Sequence, residues 1–100
     1  MTIPSACDDE ALLLKIAAGN ENAFEQLYHR HVDTIYGIAY TYLKSQAIAE
    51  EIVQDVFLKI WIGRESLMDI NEFSNYIFII ARNHIINHVQ RKEKERDYLQ

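Results

Sequence analysis

Proline occurs once in this chain of 100 residues, at Pro4, and no Asn-Gly or Asp-Gly pair punctuates it anywhere. Without helix breakers or tight hairpin turns, long helices are what the chain is free to form. The apolar spacing predicts four of them. The first starts with Asp8 or Asp9 as its N-cap, runs through Leu12, Leu13 and Ile16, and ends where Gly19 can take a left-handed position. Short as it is, it depends on docking. The second runs from Asn20 or Asn22 to about Lys44, with Phe24, Leu27, Tyr28, His31, Ile35, Ile38, Ala39 and Tyr42 on one face and Gly37 opposite. A turn at Lys44-Ser45-Gln46 leads to a third helix, roughly Ala47 to Ile62, whose apolar face is Ile48, Ile52, Val53, Val56, Phe57 and Ile60. Gly63 ends it. A polar loop, Arg64 to Asn71, then precedes a long last helix from about Glu72 to Arg96. The expected fold is all-α: a compact three- to four-helix bundle with a long C-terminal helix.

Several classes are excluded. With 49% hydrophobic residues the chain is too apolar to be disordered, and its length allows one core. A single cysteine cannot make an internal disulfide, so a reducing, cytoplasmic setting is expected. The run Ile77 to Ala81 is far short of the roughly 20 residues of a membrane span. The opening MTIPSACDDE has neither the basic start nor the apolar stretch of a secretory signal.

A net charge of −5 argues against a nucleic-acid ligand, but the charge is unevenly spread. Up to Ala81, five basic residues face twelve acidic ones; from Arg82 onward, five basic residues (Arg82, Arg91, Lys92, Lys94, Arg96) face three acidic ones. An acidic body carries a mildly basic end.

Two helix faces are not explained by a core. On the third helix Glu51, Gln54, Asp55 and Leu58 share a stripe, extended by Ile62. This is either a solvated face with a stray leucine or a docking surface for a basic partner. The last helix is apolar nearly all round, through Tyr76, Ile77, Phe78, Ile79, Ile80, Ala81, Ile85, Ile86 and Val89, more than one bundle face can absorb, so part of it is expected to be buried against something else. Along it runs one polar strip, Asn83, Asn87, Gln90 and Lys94, continued toward the helix start by Tyr76 and Ile79. Amides can read base edges, an aromatic or aliphatic group can stack on an unpaired base, and Arg91, Lys92, Lys94 and Arg96 can hold phosphates. The combination suits partly unstacked single-stranded DNA; taken alone, the strip reads first as solvent-facing amides on a bundle helix.

Other chemistry finds little support. His84 and His88 have ligand-compatible spacing, but no HExxH, CxxC or further carboxylate-histidine set completes a metal site, and His31 fits a satisfied core imidazole. Cys7 has no partner motif. No glycine-rich phosphate loop or nucleophile elbow occurs. No metal, cofactor or catalytic residue is expected.

The stretch AEEIVQDVFLKIW (Ala49 to Trp61), followed after a loop by FSNYIFIIARNHIINHVQRK (Phe73 to Lys92), resembles region 2 of the sigma-70 family of bacterial RNA polymerase sigma factors, and within it the extracytoplasmic-function group. Ala23 to Tyr28, preceded by Gly19-Asn20-Glu21-Asn22, is similar to that group's first long helix, so the likeness covers roughly Glu10 to Arg96.

The resemblance implies a transcription initiation domain, with a tail at 1–8, the domain at 9–96 and the start of an interdomain linker at 97–100. It implies that Glu51, Gln54, Asp55 and Leu58 dock on the clamp helices of the polymerase β′ subunit, with the family's Gln-acid pair at Gln54 and Asp55. It implies that the last helix and the loop bind and open the promoter minus-ten element. Asn83 would contact a base of the non-template strand, with Asn87 and Gln90 beside it. Tyr76, Ile79, Arg91, Lys92 and Lys94 complete the DNA face. The loop Arg64, Glu65, Ser66, Leu67, Met68, Asp69, Ile70 and Asn71 would hold a flipped base. An anti-sigma factor is an expected further partner. Many members carry a basic residue where Ile79 stands, and primary sigma factors place two tryptophans at Ile79 and Ile80, so strand opening here is expected to lean more on the loop. The family's helix-turn-helix domain for the minus-thirty-five element has no counterpart up to Gln100, so a fragment or excised domain is expected. The rival reading is a helical protein-interaction module, adaptor-like or anti-sigma-like, that never touches DNA.

Overall fold

A computed structural model of the chain describes residues 6–99, with side-chain environments for 9–96. Four α-helices carry the fold: α1 (Ala6–Ala17), α2 (Glu21–Leu43), α3 (Gln46–Ile62) and α4 (Phe73–Leu99). Among the described residues there is no strand. A 3₁₀ turn, Arg64–Asp69, joins α3 to α4. The fold is the expected all-α bundle with a long last helix.

Local chemistry sets most of the boundaries. Gly19, at φ 95°, closes α1: its N–H donates to Ile16 O (2.8 Å) and the N–H of Asn20 donates to Lys15 O (3.0 Å). This is the Schellman pairing, in which a left-handed residue turns two orphan carbonyls inward. Asn20 then caps α2, its Oδ1 accepting from Ala23 N at 2.9 Å, and Ser45 caps α3, its Oγ accepting from Ile48 N at 3.3 Å. Lys44 closes α2 in the left-handed region (φ 56°), where a Cβ costs about 1 kcal/mol. Gly63 ends α3 at φ −93°, passing directly into the 3₁₀ turn.

The first helix starts earlier than expected, and its acid has another role. α1 begins at Ala6, so Asp9 lies inside the helix and is not a cap. Its buried carboxylate accepts from Arg30 Nη1 at 3.1 Å and from His31 Nε2 at 3.3 Å, both on α2. The His31 ring meets Phe73, the first residue of α4, edge-on at 5.2 Å, so one cluster fastens α1, α2 and α4 together. Residues 1–5 of the expected tail, and the Cys7 side chain, lie outside the described residues. At the other end α4 continues to Leu99, through most of the expected linker start.

The core lies between α2 and α3 and is closed by α1 and α4. Ile16, Leu27, Ile35, Val56, Ile60 and Leu67 are its fully enclosed large side chains. Phe24, Tyr28, Phe57 and Trp61 form an aromatic seam between α2 and α3, with ring centroids 4.8 to 6.2 Å apart. Tyr42, expected on the core face of α2, points outward at 72% exposure.

The segment Arg64 to Asn71 is not the open polar loop that its composition suggests. Leu67 is buried in the common core, and the turn packs mainly against α1. One leucine in a polar stretch has no periodicity to betray it. Leu67→Ala is expected to cost about 2–5 kcal/mol in urea unfolding, as for other enclosed leucines, whereas Met68→Ala should stay within about 0.5 kcal/mol.

Candidate functional site

The outward stripe of α3 is set by what the helix buries. Ala49, Ile52, Val53, Val56, Phe57 and Ile60 face the core, which turns Glu51, Gln54, Leu58 and Ile62 to the surface and leaves Asp55 half-buried. Leu58 and Ile62 are 56% and 71% exposed, an apolar end to an otherwise polar crest. The crest separates two grooves. Gln54 flanks a hollow of about 350 Å³ against α2, with Tyr28, Asp33, Tyr36 and Glu50. Glu51 and Asp55 form one wall of a larger cleft, about 540 Å³, against α4.

The opposite wall of that cleft belongs to the polar strip. Asn87, Gln90, Arg91 and Lys94 line it together with His84 and His88. Residues expected to serve two different partners therefore face each other across one space. Asn83, Ile79, Lys92 and half-buried Tyr76 lie outside the lining, as do Gln54 and Leu58. Asn83, Asn87, Gln90 and Lys94 are exposed, and among the described residues none of their side chains makes a hydrogen bond within the chain or an ion pair. Their donors and acceptors are free for a ligand.

α4 buries Phe73, Ile77, Ile80, Ala81 and Ile85 and leaves Phe78, Ile79, Ile86 and Val89 between 39% and 48% exposed. The surplus apolar surface expected from the sequence is present, and among the described residues nothing covers it fully.

The 3₁₀ turn divides the eight loop residues. Leu67 is an anchor, and Ile70 is half-buried against the core. Arg64 is engaged with the end of α3: its Nη1 donates to Trp61 O at 3.0 Å and its guanidinium stacks 4.5 Å from the Trp61 ring centroid. Ser66 Oγ donates to Gly63 O at 2.8 Å. Glu65, Met68, Asp69 and Asn71 are exposed. Leu67, Met68, Ile70 and Asn71 meet Glu10, Leu13 and Leu14 of α1 around an open hollow of about 250 Å³. The part played by α1 could not be foreseen, because no local pattern links Glu10 to a turn almost sixty residues later.

Sequence reasoning did not join the histidine pair to the acidic stripe. The four-residue spacing of His84 and His88 is visible, but that they face Glu51 and Asp55 is a fact of packing. His84 Nε2 is buried with no hydrogen-bond partner in the structure. Among the described residues no three His, Cys, Asp or Glu side chains are placed to hold a metal ion. No described helix is long and apolar enough to cross a membrane.

Residues 27–95 match the family model described as Sigma-70 region 2. The chain is 29% identical over 82 residues to the ECF RNA polymerase sigma factor SigW of Bacillus subtilis, an alignment covering 81% of this chain and 43% of SigW. It is 34% identical over 59 residues to the ECF RNA polymerase sigma factor SigK of Mycobacterium ulcerans, covering 58% and 32% of the two chains. It is 30% identical over 91 residues to the ECF RNA polymerase sigma factor BldN of Streptomyces coelicolor, covering 85% and 34%. The chain thus spans less than half the length of these relatives. No solved structure matches it.

The strip amides are exposed and make no side-chain hydrogen bond among the described residues, so they add little to folding stability. Asn83→Ala, Asn87→Ala and Gln90→Ala are each expected to unfold within about 0.5 kcal/mol of the parent chain in urea, so any binding defect in them reports on the surface alone.

Proposed function

We propose, because the chain belongs to the sigma-70 family as a region 2 domain of the extracytoplasmic-function type, that it is a transcription initiation domain working in the cytoplasm. In this reading it docks on the β′ clamp helices of core RNA polymerase and recognises and opens the promoter minus-ten element. The observation that carries the reading is the pairing of two outward faces that the core leaves unused: the α3 crest with Gln54 and Asp55, and the unbonded amide strip of α4.

Each face has chemistry suited to its proposed partner. Glu51 and Asp55 offer carboxylates, Gln54 an amide, and Leu58 an exposed apolar group that gains by desolvation; a basic helical surface complements all four. On α4, Asn83 reads a base edge, Asn87 and Gln90 lie one and two turns along, and Ile79 and Tyr76 supply apolar surface on which an unstacked base can rest. Arg91, Lys92 and Lys94 hold phosphates without reading sequence. The exposed loop residues Glu65, Met68, Asp69 and Asn71 stand at the start of α4, where an extruded base would be received. Opening needs no catalysis: extruding a base costs a few kcal/mol, which contacts to the freed strand offset. With Ile79 exposed and Ile80 buried in the core, only one isoleucine can face the strands, so the wedge is weak and the loop carries more of the work.

The exposed apolar side chains Phe78, Ile86 and Val89 favour a second, compatible reading, a protein partner on the outer side of α4 such as an anti-sigma factor. A gel shift with minus-ten oligonucleotides in the presence of core polymerase separates a DNA-engaging factor from a pure interaction module.

Gln54→Ala combined with Asp55→Ala is expected to abolish binding to a β′ clamp-helix fragment while leaving the helical circular dichroism intact. Unchanged affinity would remove the docking assignment. Asn83→Ala is expected to lower affinity for single-stranded non-template DNA in a sequence-dependent manner, whereas Lys92→Ala lowers it for every sequence and flattens the salt slope by about one unit. Equal loss on all sequences for Asn83→Ala would rule out base reading.

A further inference from the structure

We propose that the outer face of α4 pairs with the same face of a second copy of this chain, the two helices lying antiparallel about a two-fold axis. The inference stands on the face itself and uses neither the polymerase nor the promoter reading.

α4 sends Ile77, Ile80, Ala81 and Ile85 into the core, and on its other side Phe78, Arg82, Ile86, Val89 and Glu93 recur at three- and four-residue steps. Such steps keep side chains on one stripe of a helix. Phe78, Ile86 and Val89 are 47%, 41% and 39% exposed, and Arg82 and Glu93 are exposed as well. Among the described residues neither of these two charges has an ion-pair partner within 4.0 Å. The amide strip through Asn83 and Gln90 lies about a quarter turn further round the helix, so this stripe is a separate face.

The order of the charges selects the occupant. Arg82 stands four residues before Ile86, and Glu93 four residues after Val89, so the stripe is basic at one end, apolar in the middle and acidic at the other. A surface of that kind is complementary to itself turned end for end. With the two-fold axis passing midway between Ile86 and Val89, Ile86 meets the partner's Val89 and Arg82 meets the partner's Glu93, each contact occurring twice. Phe78 then falls beside the partner's Arg96, whose guanidinium can lie on the ring. Parallel pairing would set Arg82 against Arg82 and Glu93 against Glu93, and the like charges disfavour it. The contact is isologous, so it closes after two copies. It also removes from water the three half-exposed apolar groups that the bundle leaves uncovered. One helix laid on one helix is a small contact, below the range of permanent dimers, so association is expected only at high concentration.

The test is sedimentation equilibrium of the chain at low ionic strength, where the parent is expected to dimerise with a dissociation constant on the order of 100 μM. Arg82→Glu and Glu93→Arg, each taken alone, oppose like charges twice per dimer and are each expected to weaken association about tenfold. Glu93→Arg brings the net charge nearer zero, so a loss there cannot come from overall repulsion. Arg82→Glu combined with Glu93→Arg exchanges the two ends and is expected to return association to within about twofold of the parent. An equimolar mixture of the two single variants is expected to associate more tightly than either alone. Lys59→Glu makes the same change of charge as Arg82→Glu at an exposed position of α3, and should alter the constant by less than about twofold. Circular dichroism verifies that each variant is folded. A parent that stays monomeric at every concentration leaves the face to an unrelated protein and overturns the proposal. So does a dimer that neither single variant weakens, one that the double variant fails to restore, or one that Lys59→Glu weakens as much as Arg82→Glu.

Discussion

The rotational setting of α3 is the constraint on which the outward chemistry depends. Ala49, Val56 and Ile60 are wholly enclosed, and Ile52, Val53 and Phe57 nearly so. Turning the helix by one residue would bring several of these to water at about 1.5–3 kcal/mol for each large side chain, and would press carboxylates into an apolar core at greater cost. The helix has one rotation open to it, and Glu51, Gln54 and Asp55 are outward as a consequence. Its ends are pinned too, by Ser45 at the start and by the Arg64 guanidinium over Trp61 at the finish. The exposure of this crest is thus a consequence of packing on its opposite side.

α4 is held differently. Its first half is fixed by Phe73, Ile77, Ile80, Ala81 and Ile85, and its beginning is tied through Phe73 to the buried Asp9, Arg30 and His31 cluster. Its last turns carry Arg91 to Arg96, all exposed, in a molecule whose longest dimension is 51 Å. On the proposed reading, one helix thereby combines a rigid segment, where base-reading geometry is needed, with a charged segment, where only electrostatic attraction is needed. That division matches the different precision that base edges and phosphates demand.

How much of this could be read beforehand depended on whether the signal was local or tertiary. The core face of α3 and the Gly19 terminus follow from periodicity and turn chemistry within a few residues, and the structure agrees with both, while α4 is long as expected but runs three residues further. Asp9 deceived because an acid ahead of an apolar run is a normal cap signature, and only the position of α2 reveals it as a buried acceptor. Tyr42 lies on the right helical stripe, yet at this end of α2 it is the neighbouring Leu43 that packs against the core and Tyr42 that faces solvent. Leu67 and the hollow against Glu10 and Leu14 depend on contacts between distant segments, and no window of sequence contains them. The two candidate stripes were legible as stripes. That they share one cleft was not.

The charge distribution limits how such a domain can engage DNA. A chain of net charge −5 has no long-range field to draw it to a polyanion, and its basic excess is confined to the end of α4. Non-specific affinity, which for typical binders comes from many phosphate contacts, is expected to be correspondingly small. On the proposed reading that weakness is useful. A factor that bound any DNA strongly would be sequestered along the duplex, whereas one whose few amides engage only an opened, correctly ordered strand depends on the polymerase to bring it there. Specificity then arises from the ratio between a handful of polar contacts and an almost absent background. The acidity of the body, which at first weighs against nucleic acid, becomes the means by which the amide strip can discriminate.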